Sequence, residues 1–188
     1  MMNFIENLND EAKVAIGLII AERMFQLIDI SEDGYKTGRE ALDSCWKWLE
    51  GEGIEADDLY DHIDSKDYID VAEFAHFEED DKKQYAWYAV LDAVSYTIWQ
   101  AYKKENSKFV PQAIEVINDE TLIILGENAV ESEFFKLESI DKVKKYLFEK
   151  YPVDSDLKNK TIIKKDMMKM VDNNGNSSLS TTNEPQEK

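Results

Sequence analysis

Few residues in this chain have types and spacings that could support catalysis. The 188 residues include two histidines and one cysteine, and no glycine-rich phosphate loop is present. Glu73 and His76 form an E-x-x-H pair, a spacing that places both side chains on one face of a helix. Carboxylate-bridged di-iron sites need two such pairs and two further glutamates, but Leu59 stands three residues before His62. The sequence favours a protein without metal, cofactor or turnover. The alternative is an acidic metal-binding protein or enzyme that uses Glu73, His76 and nearby carboxylates.

The charge of the chain is strongly negative and unevenly distributed. There are 40 acidic and 22 basic residues, which gives a formal net charge of -18. Residues 153–188 hold six acids and six lysines, whereas residues 52–82 alone carry 13 acids against two lysines. Nucleic acid and anionic lipid are therefore disfavoured as partners, because binding phosphate requires Lys and Arg.

The acidic segment, residues 52–82, has two interpretations. It is either a solvated face that keeps the protein soluble or a surface complementary to a basic protein partner, which would speed association. Under the second interpretation, the predicted partner-binding residues are Asp57, Asp58, Asp61, Asp64, Asp67, Asp70, Glu73, Glu78, Glu79, Asp80 and Asp81. The apolar residues expected to anchor this segment to the core are Leu59, Ile63, Ile69, Ala72, Phe74 and Phe77.

The elements that must position these residues are predicted to be helices. Seven glycines and three prolines provide little turn chemistry for a β protein, and apolar residues recur at spacings of three and four. We expect an all-α single domain of six or seven helices packed around a long central helix at 81–104, which should be the most buried. The other predicted helices begin at Asn9 or Asp10, at Tyr35, near residues 55 and 68, at Asn118 or Asp119, and at Ser139.

The long helix carries two stripes of residues. Trp87, Leu91, Val94 and Ile98 form the expected core face. The second stripe is aromatic and contains one carboxylate: Tyr85, Tyr88, Asp92, Ser95, Tyr96, Trp99 and Tyr102. We expect it to be a second buried face, with Asp92 hydrogen-bonded to a hydroxyl or amide. The alternative is a half-exposed patch of Tyr and Trp, which are residue types enriched at binding hot spots.

The composition changes after Pro152. We expect a folded domain over residues 1–152 and a weakly structured to disordered tail over 153–188, in which the isoleucines and methionines of 154–171 could dock on the domain. The start of the chain lacks the basic region of a secretory signal, and the longest apolar run, Val14–Ala21, is too short to span a bilayer. A single cysteine, Cys45, excludes an intrachain disulfide. These features predict a cytoplasmic protein.

Four segments carry a resemblance to a known family. In chain order they are LNDEAKVA, GYKTGREALDSCWKWLEG, QYAWYAVLDAVSYTIWQAY and PQAIEVINDET. Together, over about residues 3–152, they resemble the sixth numbered family of immunity proteins of bacterial polymorphic toxin systems. The resemblance implies a mostly α-helical protein that is encoded beside the toxin it neutralises, and it carries over no catalytic residue.

The resemblance and the charge together suggest a function. We expect an immunity protein that inhibits a cognate protein toxin by stoichiometric occlusion through its acidic surface. A toxin with a basic surface fits this expectation, and a nuclease fits best, because an enzyme that grips phosphates must itself be basic. An interaction module without a toxin partner is a further alternative.

Overall fold

The computed structural model describes residues 2–154 and 161–175, and within these ranges the chain forms nine α-helices and no β-strand. This confirms the all-α prediction, with short helices in addition to the six or seven expected. The helices are α1 (Asp10–Met24), α2 (Tyr35–Glu50), α3 (Ala56–Tyr60), α4 (Val71–Phe77), α5 (Asp81–Glu105), α6 (Gln112–Glu115), α7 (Asp119–Glu131), α8 (Asp141–Lys150) and α9 (Lys164–Gly175). Three short 3-10 turns lie at Asn3–Asn7, Phe25–Leu27 and Leu137–Ile140.

The ends of the long helices follow from local capping residues. Asn9 caps α1 and accepts a hydrogen bond from the Ala12 N–H at 2.9 Å, and Asn118 caps α7 through the Glu120 N–H at 2.7 Å. α2 ends at Gly51, whose φ of 85° is the left-handed conformation that glycine adopts without strain. Each of these caps satisfies backbone groups that a helix end leaves without a partner. The predicted start of α2 at Tyr35 is confirmed.

The core is built on two helices, α1 and α5, that pack along one another. α1 is buried on nearly every side, because its run Val14–Ala21 is apolar all round rather than on one stripe. The prediction that the long helix would be the most buried is therefore wrong, although α5 does contact most of the other helices. None of the helices in the ranges 2–154 and 161–175 combines the length and apolar character needed to cross a membrane.

The first turn of α2 packs against a cluster of aromatic rings. Phe25 and Trp87 meet edge to face at 5.8 Å between centroids, and Phe74 stacks on Trp87 at 5.1 Å. Gly38 lies so close to this cluster that a Cβ atom would come within 2.5 Å of a ring carbon of Phe25. A side chain of any size at residue 38 must displace an aromatic ring.

We predict that Gly38→Ala lowers the free energy of unfolding by about 1–2 kcal/mol. The overlap with the ring forces a repacking cost that exceeds the gain of about 1 kcal/mol in helix propensity. Lys47→Ala, on the exposed side of the same helix, is the control and should leave the stability within about 0.5 kcal/mol. Urea denaturation measures both variants. A Gly38→Ala protein as stable as the parent would show that the aromatic cluster is loosely packed.

The packed body continues beyond Pro152. In the last described stretch, Ile162, Met167 and Val171 are buried, so the apolar residues of the predicted tail do dock on the domain. Lys164 ties this stretch to the core through ion pairs of 2.7 Å with both Glu22 and Asp43. Residues of the stretch 161–171 therefore pack against the helices that precede Pro152. Residues 155–160 and 176–188 of the predicted tail lie outside the described residues.

Candidate functional site

The acidic segment folds into α3, α4 and the first turn of α5, joined by irregular stretches. Both short helices pack against α5 and bury small and aliphatic side chains there, which leaves their charged side chains on the outside. Nine of the eleven predicted partner-binding carboxylates are exposed, and we call these nine the acidic surface: Asp57, Asp58, Asp61, Asp64, Asp67, Glu73, Glu79, Asp80 and Asp81. Glu78 is half-buried.

Asp70 does not belong to the acidic surface. Its side chain is the N-cap of α4, accepting hydrogen bonds from the backbone N–H groups of Glu73 at 3.0 Å and Ser65 at 2.9 Å, and only 4% of the residue is exposed. The Glu73 side chain accepts from the Asp70 N–H in return, at 3.3 Å. An acid followed three residues later by Glu, before an apolar run, is the sequence signature of this capping box. That signature could have separated Asp70 from the other carboxylates.

Besides Glu73, three further carboxylates of the acidic surface have structural partners. Asp57 accepts a 2.5 Å hydrogen bond from the hydroxyl of buried Tyr102, and Asp64 accepts one of 2.7 Å from Tyr60. Burial, together with Asp64, raises the pKa of Tyr60 to about 12. Asp80 caps α5 through the N–H groups of its first turn. Substitution of these three acids would disturb the fold as well as the charge.

Besides Asp81 at the start of α5, four exposed carboxylates have side chains that make no hydrogen bond or ion pair with residues 2–154 or 161–175: Asp58, Asp61, Asp67 and Glu79. We call these the free carboxylates. Within the protein they contribute repulsion rather than attraction, since acids outnumber lysines by 13 to two in this segment. Their charge is therefore available to a cationic partner.

Apolar side chains are exposed among these acids. Ile69 and Phe77 were expected to anchor the segment, but they are 57% and 71% exposed, while Leu59 and Ile63 are buried as predicted. Tyr68 is also exposed, and its hydroxyl donates to the Asp61 carbonyl at 2.9 Å. Ile69 precedes the N-cap of α4, and Phe77 is the last residue of that helix. The surface is therefore a mixture of charge and apolar area.

The Glu73 and His76 pair gathers no further metal ligand among residues 2–154 and 161–175. Glu73 is engaged in the capping box. The His76 ring packs edge to face on the Phe77 ring, with 4.8 Å between the ring centroids. In the part of the chain that the structure describes, no three His, Cys, Asp or Glu side chains come together in a way that could hold a metal ion. Cys45 is buried, and burial raises the pKa of its thiol to about 12, so it is a neutral core residue.

The second stripe of α5 is only partly buried. Tyr96 and Tyr102 lie in the core, and the Tyr96 hydroxyl donates to Asp119 at 2.7 Å. Tyr88, by contrast, is 37% exposed. Asp92 is half-buried and has no hydrogen-bond partner among the described residues, so the prediction that a hydroxyl or amide would bind it is wrong. Burial raises its pKa to about 7.

Comparison with known protein families identifies a family that this chain matches. Residues 12–132 match the family described as immunity protein Imm6, a range that runs from α1 through α7 and includes the whole acidic segment. No match was found among curated proteins or solved structures. The matched range covers nearly two-thirds of the chain and agrees with the resemblance seen in the sequence. The chain therefore belongs to the Imm6 family of immunity proteins.

Proposed function

We propose that this protein neutralises a cognate polymorphic toxin in the cytoplasm by binding it one to one, without turnover, and covering its functional face with the acidic surface. Family membership supports the immunity role and a toxin as the partner. The observation that carries the choice of surface is the set of free carboxylates, Asp58, Asp61, Asp67 and Glu79, which are exposed and unpaired within the described chain.

The charge of the acidic surface favours a basic partner. A nuclease fits because it must hold the phosphates of its substrate with Lys and Arg, and the same residues are attracted to carboxylates. An inhibitor that occupies this basic face both steers the toxin toward itself and competes with the substrate. The nuclease identity of the toxin rests on this electrostatic argument.

The exposed apolar side chains that lie among the acidic-surface carboxylates are suited to supply binding affinity, whereas the charges mainly raise the association rate. Steering by charge raises association rates, whereas tight binding depends on a few apolar and aromatic side chains that become fully desolvated. Tyr68, Ile69 and Phe77 are exposed among the carboxylates and suit this role. A mixed surface of this kind is typical of protein interfaces, with an apolar centre and a polar rim.

We predict that replacing Asp58, Asp61, Asp67 and Glu79 together with Asn or Gln slows toxin association by about tenfold or more at low salt. The fold should survive, because these side chains have no partners within the described residues and their mutual repulsion is relieved. The remaining association rate should depend less steeply on salt, since steering weakens as the Debye length shortens from about 10 Å at 0.1 M to about 3 Å at 1 M. Stopped-flow binding across a salt series measures both effects.

The matched control removes four charges elsewhere. Glu131, Glu138, Glu149 and Asp166 are exposed and lie outside the acidic segment, so their joint replacement with Gln or Asn should change the association rate by about twofold at most. Rescue of toxin-expressing cells provides a second measurement. If the two quadruple variants associate equally fast and rescue equally well, the acidic surface is not the binding face.

A further inference from the structure

A pocket opens beside the acidic surface, between the N-terminal half of α5 and the C-terminal half of α7. It has a volume of about 330 Å³ and is lined by Asp81, Gln84, Tyr85, Tyr88 and Asn128. Asp81 is a member of the acidic surface, so the pocket is continuous with it. The size lies at the lower end of ligand sites, which run from roughly 300 to 1,000 Å³, and it suits one long side chain.

The lining of the pocket is rich in hydrogen-bond acceptors and contains no cation. Besides the Asp81 carboxylate, the lining includes the Gln84 side-chain amide, whose nitrogen donates to the Glu78 carbonyl at 3.3 Å. The Asn128 side chain makes no hydrogen bond with the described residues, and its amide adds a further acceptor. Two tyrosine rings provide flat apolar walls. A planar cation is the chemical group that matches both features.

Asp92 lies on α5 just outside the pocket lining. It lies four residues after Tyr88 and so shares its helix face, about 6 Å further along the axis. The carboxyl is half-buried without an ion pair or hydrogen bond from residues 2–154 or 161–175, and burial raises its pKa to about 7. A carboxylate held partly out of water without a partner is unfavourable in the free protein. A cation delivered by a binding partner would remove that penalty.

We propose that this pocket receives an arginine side chain of the toxin, with the guanidinium stacked on Tyr88 and reaching past the pocket lining to pair with Asp92, one helical turn further along α5. Arginine fits better than lysine because its planar, weakly hydrated head stacks on aromatic rings and offers a fork of donors to a carboxylate. The inference rests on the proposed function and deepens it. The acidic surface attracts the toxin, and the pocket anchors one of its arginines.

The test measures the affinity of the catalytically inactivated toxin domain encoded by the neighbouring gene for the purified protein, by calorimetry. Asp92→Asn keeps the shape of the side chain and removes its charge, and it should weaken binding about thirtyfold or more, as expected when a buried charge pair is broken. Tyr88→Ala should weaken binding about tenfold. Asp166→Asn is the matched control, because Asp166 is exposed on α9. The toxin affinity of this variant should stay within about twofold of that of the parent.

A second measurement identifies the partner group on the toxin. Each toxin arginine is replaced with lysine in turn. One of these toxin variants should bind the parent protein about tenfold more weakly than the unmodified toxin does. The same toxin variant should bind Asp92→Asn as tightly as the unmodified toxin binds Asp92→Asn. Circular dichroism checks that Asp92→Asn is folded. We expect Asp92→Asn to have a native spectrum and weaker toxin binding. We also expect one toxin arginine whose replacement has no effect once Asp92 is replaced.

Three outcomes would contradict the proposal that the pocket binds a toxin arginine. If Asp92→Asn and Tyr88→Ala both bind the toxin domain as tightly as the parent, the pocket is not used, and the acidic surface and the proposed function stand without it. If the parent itself does not bind the toxin domain, the proposed function fails and the pocket fails with it. If the parent forms a dimer that Asp92→Asn disperses while toxin affinity is unchanged, the pocket is a contact between copies of this chain.

Discussion

Replacing Glu22 with glutamine is expected to lower the free energy of unfolding by about 3–5 kcal/mol, the cost of breaking a buried ion pair. The Glu22 side chain is 8% exposed, and its carboxylate accepts two hydrogen bonds from Arg39 at 2.6 and 2.7 Å. Trp46 donates a third at 3.0 Å, and Lys164 pairs with the same carboxylate at 2.7 Å. Glu22 thus holds α1, α2 and α9 together. A neutral amide would leave Arg39 and Lys164 with Asp43, at 3.0 and 2.7 Å, as their shared counter-charge.

The contribution of Glu22 should also depend on pH. Burial alone would raise the pKa of this carboxyl. The hydrogen bonds and positive charges of Arg39 and Lys164 lower the pKa by more than burial raises it, so the net pKa lies below the ordinary 4.5. A carboxyl with a depressed pKa in the folded state stabilises the protein above the unfolded pKa, and this stabilisation is lost as the pH falls through the folded value. The difference between the parent and Glu22→Gln should therefore be full near pH 7 and should shrink in acid below about pH 4.5.

The control for Glu22 is Glu40→Gln. Glu40 lies on α2 and pairs with Lys36 at 3.7 Å, but both side chains are largely exposed, so the substitution should change stability by about 0.5 kcal/mol at most. Urea denaturation across pH 3–8 measures both variants. If Glu22→Gln were no less stable than Glu40→Gln, the three helices would be held by apolar packing alone, and the ion cluster would be incidental.

The sequence predicted the helices because most of their signals are local. The range of α2 follows from apolar spacing and from Gly51, and α7 follows from the cap at Asn118. Burial was harder to predict, since it depends on which helices pack together. α1 is buried all round because α2, α5 and α7 pack against it, and α9 docks because Glu22 and Asp43 meet Lys164 across more than 120 residues of chain.

The acidic surface was predictable in outline because a run of acids must remain largely in solvent. The details were not predictable from charge alone. Asp70 is withdrawn into a capping box, Ile69 and Phe77 are exposed, and Asp57 reaches Tyr102 from 45 residues away. The pocket between α5 and α7 was missed for the same reason. Its lining joins residues 81–88 with Asn128, and this juxtaposition exists only after the helices pack.

Replacing Asp92 with asparagine is expected to raise the free energy of unfolding by about 2–4 kcal/mol at pH 8. Burial raises the pKa of Asp92 from the ordinary 3.8 to about 7, and each unit of difference corresponds to about 1.4 kcal/mol between the folded and unfolded states. The lower end of the range allows for solvent around a side chain that is only half-buried. The carboxylate has no compensating partner within the described residues, so an isosteric neutral group removes the penalty.

The sign of the pH dependence distinguishes Asp92 from Glu22. Below the unfolded pKa of about 4, Asp92 is protonated in both states, and the substitution should have little effect. As the pH rises from about 4 to about 7, the unfolded chain loses this proton before the folded chain does, so the parent loses stability relative to Asp92→Asn. The gain of the variant should therefore appear above pH 4, grow to its full value near pH 7 and then stay constant. Thermal or urea unfolding at pH 4, 6 and 8 follows this change.

Asp61→Asn is the control for Asp92, because Asp61 is exposed on the acidic surface and its substitution should change stability by about 0.5 kcal/mol at most at every pH. If Asp92→Asn were less stable than the parent at pH 8, the carboxylate would have a stabilising partner and no need of a cation from the toxin. A gain in stability together with a loss of toxin affinity is the combination that the pocket requires. An unpaired half-buried carboxylate weakens the free protein, and the same carboxylate strengthens the complex once an arginine neutralises it.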